Sequence, residues 1–313
     1  MLNYLVRRIA LAVVVLFGLL VATFFIIHLV PGDPVRAVLQ GPAPPAVVAQ
    51  VRHELGLDEP ILTQFGHYIS NTFQGHFGTS FALGASVASI IGQRLGPSAA
   101  LIGYAMLIAV LIGVPLAIWA ALRPHGWVDT AIRVATTVSF AMPAFWLGLM
   151  LALIFGLDLG WFPVAGYSGG VGGILRTLTL PALALGLALS AVVVRTLRSS
   201  LLEVLQSEYI EAARSRGLRD LRVVSKHALR NSVMNTLTIL TVNVGFLIGG
   251  TVVIEQVFQI PGLGTLLVSS VVKRDYQMIQ ALALLAGTAV VLASLAADIA
   301  QAFLDPRVRL AGR

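Results

Sequence analysis

Six apolar runs, separated by polar segments, set the pattern of the chain: residues 9–30, about 98–121, about 132–156, about 178–198, about 235–256 and about 278–304. A bilayer core about 30 Å thick takes roughly 20 apolar residues of helix, so each run predicts a membrane-spanning helix. Gly113, Pro115, Pro143, Pro181, Gly245, Gly249 and Gly250 fall inside or at the edges of these runs. Membrane helices accommodate such residues, because neighbouring helices satisfy the freed backbone groups. The first run stands behind Arg7 and Arg8 and ends in "PGDP". It is too long for the apolar core of a cleaved signal peptide, so it reads as a retained span.

The intervening segments carry patterns of their own. In 31–97, Ile61, Phe65, Tyr68, Ile69 and Phe73 recur at helical spacing, as do Val87, Ile90, Ile91 and Leu95. Either these are helices lying on the membrane surface or they form a docking surface for a partner. In "QIPGLGTLLVSSVVKRDY", Pro261, Gly262 and Gly264 signal a turn, and the apolar stretch that follows is too short to span. It either seals the bundle or lines the mouth of a pathway.

The densest charge lies in "SEYIEAARSRGLRDLRVVSKHALRN", residues 207–231. Ser207 is placed to cap a helix start, with Glu208 and Glu211 in the first turns. Arg214 and Arg216 suit the last turn, and Gly217 the left-handed position that ends it. Tyr209, Ala212, Ala213 and Arg216 fall on one face. Two alanines between an aromatic ring and a cation leave a smooth patch that another surface can approach closely. The alternative is an interfacial helix whose arginines hold lipid phosphates.

Composition sharpens this picture. The chain is 57% hydrophobic and 11% charged, with a net charge of +7 and no cysteine. Disulfides and cysteine-ligated metal sites are therefore excluded. The basic excess reads as a topology signal rather than a nucleic-acid footprint. With the N-terminus inside, 15 of the 21 Lys and Arg fall on the inner side. The pattern fits six spans with both termini cytoplasmic.

Four segments, in order, resemble one family. "EAARSRG", Glu211 to Gly217, is similar to the E-A-A-x-x-x-G loop of binding-protein-dependent ABC importer permeases. "EQVFQIPGLGTLLVSSVVKRDYQMIQ", Glu255 to Gln280, resembles the E-x-x-F-x-x-P-G-L-G segment and trailing R-D-Y of the dipeptide/oligopeptide/nickel permeases. "HLVPGDP", "GLDEPILTQF" and "GHFGTSF" resemble the N-terminal half of the B-type subunit, and "FLDPRVR" its close. One departure stands before the second run, where "RLGPSAA" displaces by one residue the proline of the family's R-L-P-x-T.

The resemblance implies an all-α integral membrane subunit with six transmembrane helices and the type I ABC importer permease fold. It divides the chain into a first helix (1–30), an extracytoplasmic segment (31–97), a five-helix core (98–305) and a cytoplasmic tail (306–313). The core would contain a cytoplasmic coupling loop (199–234) and an extracytoplasmic re-entrant segment (257–277). It implies a multi-pass protein of the bacterial inner membrane. Expected partners are a second, homologous permease subunit in a heterodimer, two ABC ATPase subunits, an extracytoplasmic substrate-binding protein and the lipid bilayer, with no nucleic acid. Tyr209, Glu211, Ala212, Ala213, Arg216 and Gly217 would contact the ATPase. Glu255, Phe258, Pro261, Gly262, Gly264, Lys273, Arg274 and Asp275 would form an outer gate and docking surface, with the last three charges at its rim. The implied substrates are di- and oligopeptides, with nickel, haem or glutathione as alternatives.

Several absences agree with this. The only lysines, Lys226 and Lys273, neither follow a glycine nor precede Ser or Thr, so no phosphate-cradling Walker loop exists in the chain. ATP and Mg would belong to the partner ATPases, and no catalytic, metal or cofactor site is expected here. An ion-coupled transporter needs ionisable groups deep in the membrane, and Asp298 alone is a poor pathway. "GYSGG", Gly166 to Gly170, matches G-x-S-x-G only formally, since it follows Pro163 in a glycine-rich loop and not a strand. His28 and His227 read as span-end and loop residues.

Overall fold

The apolar runs fold as helices whose ends are set by the glycine, proline and charged breaks between them. The computed structural model describes residues 2–29, 35, 44–54, 56–215 and 228–304. The first helices are α1 (Leu2–Leu29), α2 (Pro45–Glu54) and α3 (Ile61–Phe73). A small antiparallel hairpin follows, β1 (Thr79–Ser80) and β2 (Ala85–Ser86), with Thr79 opposite Ser86. Next come α4 (Val87–Leu122), α5 (Trp127–Ala141), α6 (Ala144–Leu151) with a π-helical continuation (Ala152–Asp158), and α7 (Gly170–Thr177). The last five are α8 (Thr179–Leu205), α9 (Glu208–Ser215), α10 (Leu229–Val257), α11 (Leu263–Val272) and α12 (Tyr276–Leu304).

Stretches of α1, α4, α8, α10 and α12 are each long and apolar enough to cross a membrane. The third expected span is different. It is a pair, α5 and α6 with its continuation, bent by 101° at the break, and the total reaches six when the pair counts as one span. Proline drives the bend. It has no N–H to donate, and it forces the residue before it out of the helical region; Met142 sits at φ −76°, ψ 132°.

The second span also departs from expectation. The helix expected over 87–95 and the span from about 98 form one helix of 36 residues, continuous through Pro97 and Pro115. Its first turns are docked: Val87 and Ile90 pack with Leu266, Met278 and Leu282 of α11 and α12. That packing outweighs the hydrogen bond lost at Pro97.

The central helix is α8, with Leu185, Leu189, Val193, Leu197 and Leu201 all buried. Its main partner is α4, and glycines on both helices bring the backbones together. A Cβ at Gly113 would stand 2.7 Å from the Val193 Cβ, and one at Gly186 would stand 2.9 Å from the Ala105 carbonyl oxygen. The α1 helix is held against α12 by Arg8 on Asp298 at 3.0 Å and by the Gln280 amide donating to the Thr23 carbonyl at 2.9 Å. In turn α3 packs on α1 through Phe65 and Tyr68 around Phe24, with ring centroids 5.1 and 5.8 Å apart, and the Tyr68 and Thr23 hydroxyls lie 2.9 Å apart. This face of α3 is therefore used inside the molecule. Outward faces elsewhere stay apolar and open, as at Val242 and Phe246 of α10.

Candidate functional site

Two ends of the bundle gather the residues singled out by the sequence. At one end α8 passes into α9. Ile210 is fully buried and fixes α9 to the body, while Tyr209 on the same helix is 47% exposed. The Ser207 hydroxyl does not cap α9 as expected. It donates to the Val204 carbonyl and closes the end of α8, while the Ser207 carbonyl accepts from the Ile210 N–H at 3.0 Å. Glu211, Ala212 and Ala213 lie on α9 as anticipated. Arg216 and Gly217 lie outside the described residues, as does the rest of the charged run to 227.

Beside this end is an ion pair that sequence reasoning missed. Asp129, wholly buried in the first turn of α5, accepts from the Arg198 Nε and Nη2 at 2.6 Å each and from the His125 N–H at 3.1 Å. Arg133 stands 3.6 Å away, one turn along α5. The Arg195 guanidinium lies over the Phe140 ring at 5.2 Å. The one available signal was an acid four residues before a base, which fits either a surface pair or a buried one.

At the opposite end α10 turns into α11, and the P-G-L-G motif is explained by a single carboxylate. Glu255, fully buried, sits at the N-terminus of α11. Its Oε2 accepts from the backbone N–H of Gly264 at 2.7 Å and of Thr265 at 3.0 Å, and its Oε1 accepts from the Ser98 hydroxyl of α4 at 2.5 Å. The Ser98 oxygen in turn accepts from the Leu263 N–H at 2.7 Å. A carboxylate there satisfies free helix N–H groups and suits the helix dipole. The glycines make room for it. A Cβ on Gly262 would stand 2.4 Å from the Glu255 carboxyl carbon, and one on Gly264 would stand 2.5 Å from Val252 Cα. Phe258, 1% exposed, closes over Gly148 of α6, and its carbonyl accepts from the Gly166 N–H at 2.8 Å.

These positions correct the expected docking surface. Glu255, Phe258, Gly262 and Gly264 are interior, and Pro261 is half-buried; they hold the turn and offer little to a partner. Asp275 is no rim charge either. At 4% exposure it accepts from the Met278 N–H at the start of α12 and from the Ser80 hydroxyl, tying the β-hairpin to that helix. Lys273 and Arg274 are exposed, and Arg274 takes φ 54°, the left-handed position that ends α11. Nearby, a cavity of about 210 Å³ opens between α1, α3 and α12, lined by His67, Tyr68, Asn71, Gln277 and Gln280.

Two rival readings find no support in the geometry. Asp298, on which ion coupling would depend, is paired with Arg8. Ser168 of "GYSGG" is exposed in a loop and its N–H donates to the Thr177 hydroxyl at 3.3 Å. Among the described residues no cluster of His, Asp and Glu could hold a metal ion.

Comparison with known proteins agrees with the resemblance. Residues 113–310 match the family described as binding-protein-dependent transport system inner membrane component, and residues 1–102 match the N-terminal region of that membrane component. The chain is 40% identical over 309 residues to the glutathione transport system permease protein GsiC of Salmonella choleraesuis (strain SC-B67), covering 99% of each chain. It is 39% identical, with the same coverage, to GsiC of Escherichia coli (strain K12). The fold resembles inward-facing structures of the MetNI methionine ABC transporter, with a TM-score of 0.59 at 16% identity over 69% of this chain and 96% of that one. The chain belongs to the binding-protein-dependent transport system inner membrane component family and is a multi-pass permease subunit of an ABC importer.

Proposed function

We propose that this chain forms part of the import pathway for a short peptide, with glutathione the first candidate. The supporting observation is the near-full-length kinship with glutathione permeases. In this reading the subunit catalyses no reaction. Two partner ATPases bind and hydrolyse Mg-ATP, a second, homologous permease completes a heterodimer, and an extracytoplasmic binding protein delivers the solute. Both termini and α9 face the cytoplasm.

The α9 helix is the contact for an ATPase. Ile210 anchors it and Tyr209 stands out from it; Glu211, Ala212, Ala213, Arg216 and Gly217 are the other residues assigned to this contact by the family motif. An Ala213→Arg variant should insert normally and lose both ATPase copurification and uptake. Retention of both would remove α9 from that role. Lys273 and Arg274, the exposed charges beyond α11, contact the binding protein. Rim charges act mainly on association rate and its salt dependence, so neutralising both should slow capture at low salt and leave the ATPase complex intact.

Uptake in a strain deleted for this gene tests the substrate. Labelled glutathione and labelled di- and tripeptides should enter only when the chain is restored. Restored uptake of nickel or haem, with neither glutathione nor peptide moving, would reassign the substrate.

A further inference from the structure

A cavity of about 240 Å³ lies between α5 and α8, lined by Arg133, Thr136, Thr137, Phe140, Arg195 and Arg198 among others. Three guanidinium groups meet there, and among the described residues Asp129 is the one carboxylate paired with any of them. Asp129 is wholly buried and holds Arg198 by two bonds of 2.6 Å. Arg133 reaches it only at 3.6 Å, with its side chain 52% exposed. Arg195 is exposed, and its guanidinium lies over the Phe140 ring. Among the described residues the cavity therefore sets three guanidinium groups against one carboxylate, an excess of positive charge that attracts an oxyanion.

The surroundings indicate what the oxyanion is attached to. Val134, Val138 and Phe140 on the same helix are 57%, 47% and 53% exposed. Arg195 and Arg198 lie close to the end of α8, within about 15 Å of its last residue at the helical rise per residue. A cationic cavity with an apolar flank, near the end of a membrane helix, suits a charged headgroup whose acyl chains lie along that flank. We propose that the α5–α8 cavity binds the phosphate of an anionic phospholipid, with Arg133 and Arg195 as its charge contacts and the Thr137 hydroxyl as a neutral one. Arg198 is held by Asp129 and forms the wall. A free phosphate shares this chemistry but has no use for the apolar flank.

Native mass spectrometry tests the assignment on the full chain, purified in the complex it forms in its membrane and mixed with defined lipid. Phosphatidylglycerol should be retained over phosphatidylcholine. Because each basic residue near an anionic headgroup strengthens binding several-fold, the Arg133→Gln/Arg195→Gln variant should lose roughly tenfold or more of that preference. Arg133→Lys/Arg195→Lys should recover part of it. Millimolar inorganic phosphate should leave phosphatidylglycerol in place. Equal preference in the wild type and the glutamine variant would overturn the site. Displacement of the lipid by inorganic phosphate would overturn its assignment to lipid. Asp129 and Arg198 themselves are unchanged in these variants, and their two bonds of 2.6 Å do not involve Arg133. Should the glutamine variant fail to fold, Thr137→Glu places a carboxylate in the cavity from an exposed position and must produce the same loss.

Discussion

The hydroxyl of Ser98 donates to the carboxylate of Glu255 at 2.5 Å, across 157 residues of sequence. Both are interior, and together they close the N-terminus of α11 from two sides, with Ser98 receiving the Leu263 N–H and Glu255 those of Gly264 and Thr265. A buried carboxylate is stable only when its oxygens are occupied, and here both are.

Ser98→Ala should therefore cost more than the loss of one hydroxyl suggests. It leaves a Leu263 N–H and one carboxylate oxygen short of a partner, for about 1–3 kcal/mol. Thermal unfolding of the detergent-solubilised protein measures it. Combining Ser98→Ala with Glu255→Ala should cost less than the sum of the two single changes, since the residues share one network. Strict additivity would show that they act independently.

Two glycines on the same stretch of chain should respond oppositely to one methyl group. At Gly264 a Cβ meets Val252 Cα at 2.5 Å, whereas at Gly249 it meets nothing within 4 Å. Gly264→Ala should destabilise by about 1–3 kcal/mol through overpacking, and Gly249→Ala should be neutral or slightly stabilising. Comparable losses at both sites would mean that the backbones do not approach as described.

The Asp129–Arg198 pair joins α5 to α8 where no covalent link is near. Asp129→Ala leaves the Arg198 guanidinium, whose side chain is 16% exposed, without its carboxylate and should cost about 1–3 kcal/mol. Arg198→Met in the same chain should recover much of that, because the paired apolar replacement removes the stranded charge. A double variant as unstable as Asp129→Ala would place the defect in packing rather than charge.

Ile210 gives α9 its grip on the body. Ile210→Ala should leave a cavity worth about 2–4 kcal/mol at that contact and reduce ATPase copurification without changing membrane insertion. Full copurification would mean that the anchoring of α9 does not matter to its partner.

Much of this architecture could be read in advance, where one segment carries its own signal. The extent of α3 followed from its periodicity, and a helix over Glu208–Ser215 from its pattern, although Ser207 closes α8 rather than capping α9. What escaped were features decided by contacts distant in sequence. Pro143 was visible, but tolerance within a straight span and a 101° break are equally compatible with a proline in an apolar run. Pro97 stood just before the second apolar run, and it lies inside a helix because Val87 and Ile90 find partners on α11 and α12. The charges of "KRD" read alike as rim residues, yet Asp275 is interior because Ser80, 195 residues earlier, reaches it. Glu255 was noticed as part of a motif, but its work depends on Ser98.

The reciprocal glycines of α4 and α8 bear on how movement passes through the molecule. Gly113 and Gly186 let the two backbones touch at separate points along their length, so neither helix can slide past the other without a clash. The α8 helix carries α9 at its end, and α4 carries Ser98, which grips Glu255 at the far turn. At the helical rise per residue α4 alone is about 54 Å long. On the proposed role of α9, a push from an ATPase would meet two helices locked at both glycines, and the path to the turn before α11 would run along α4 through Ser98 to Glu255.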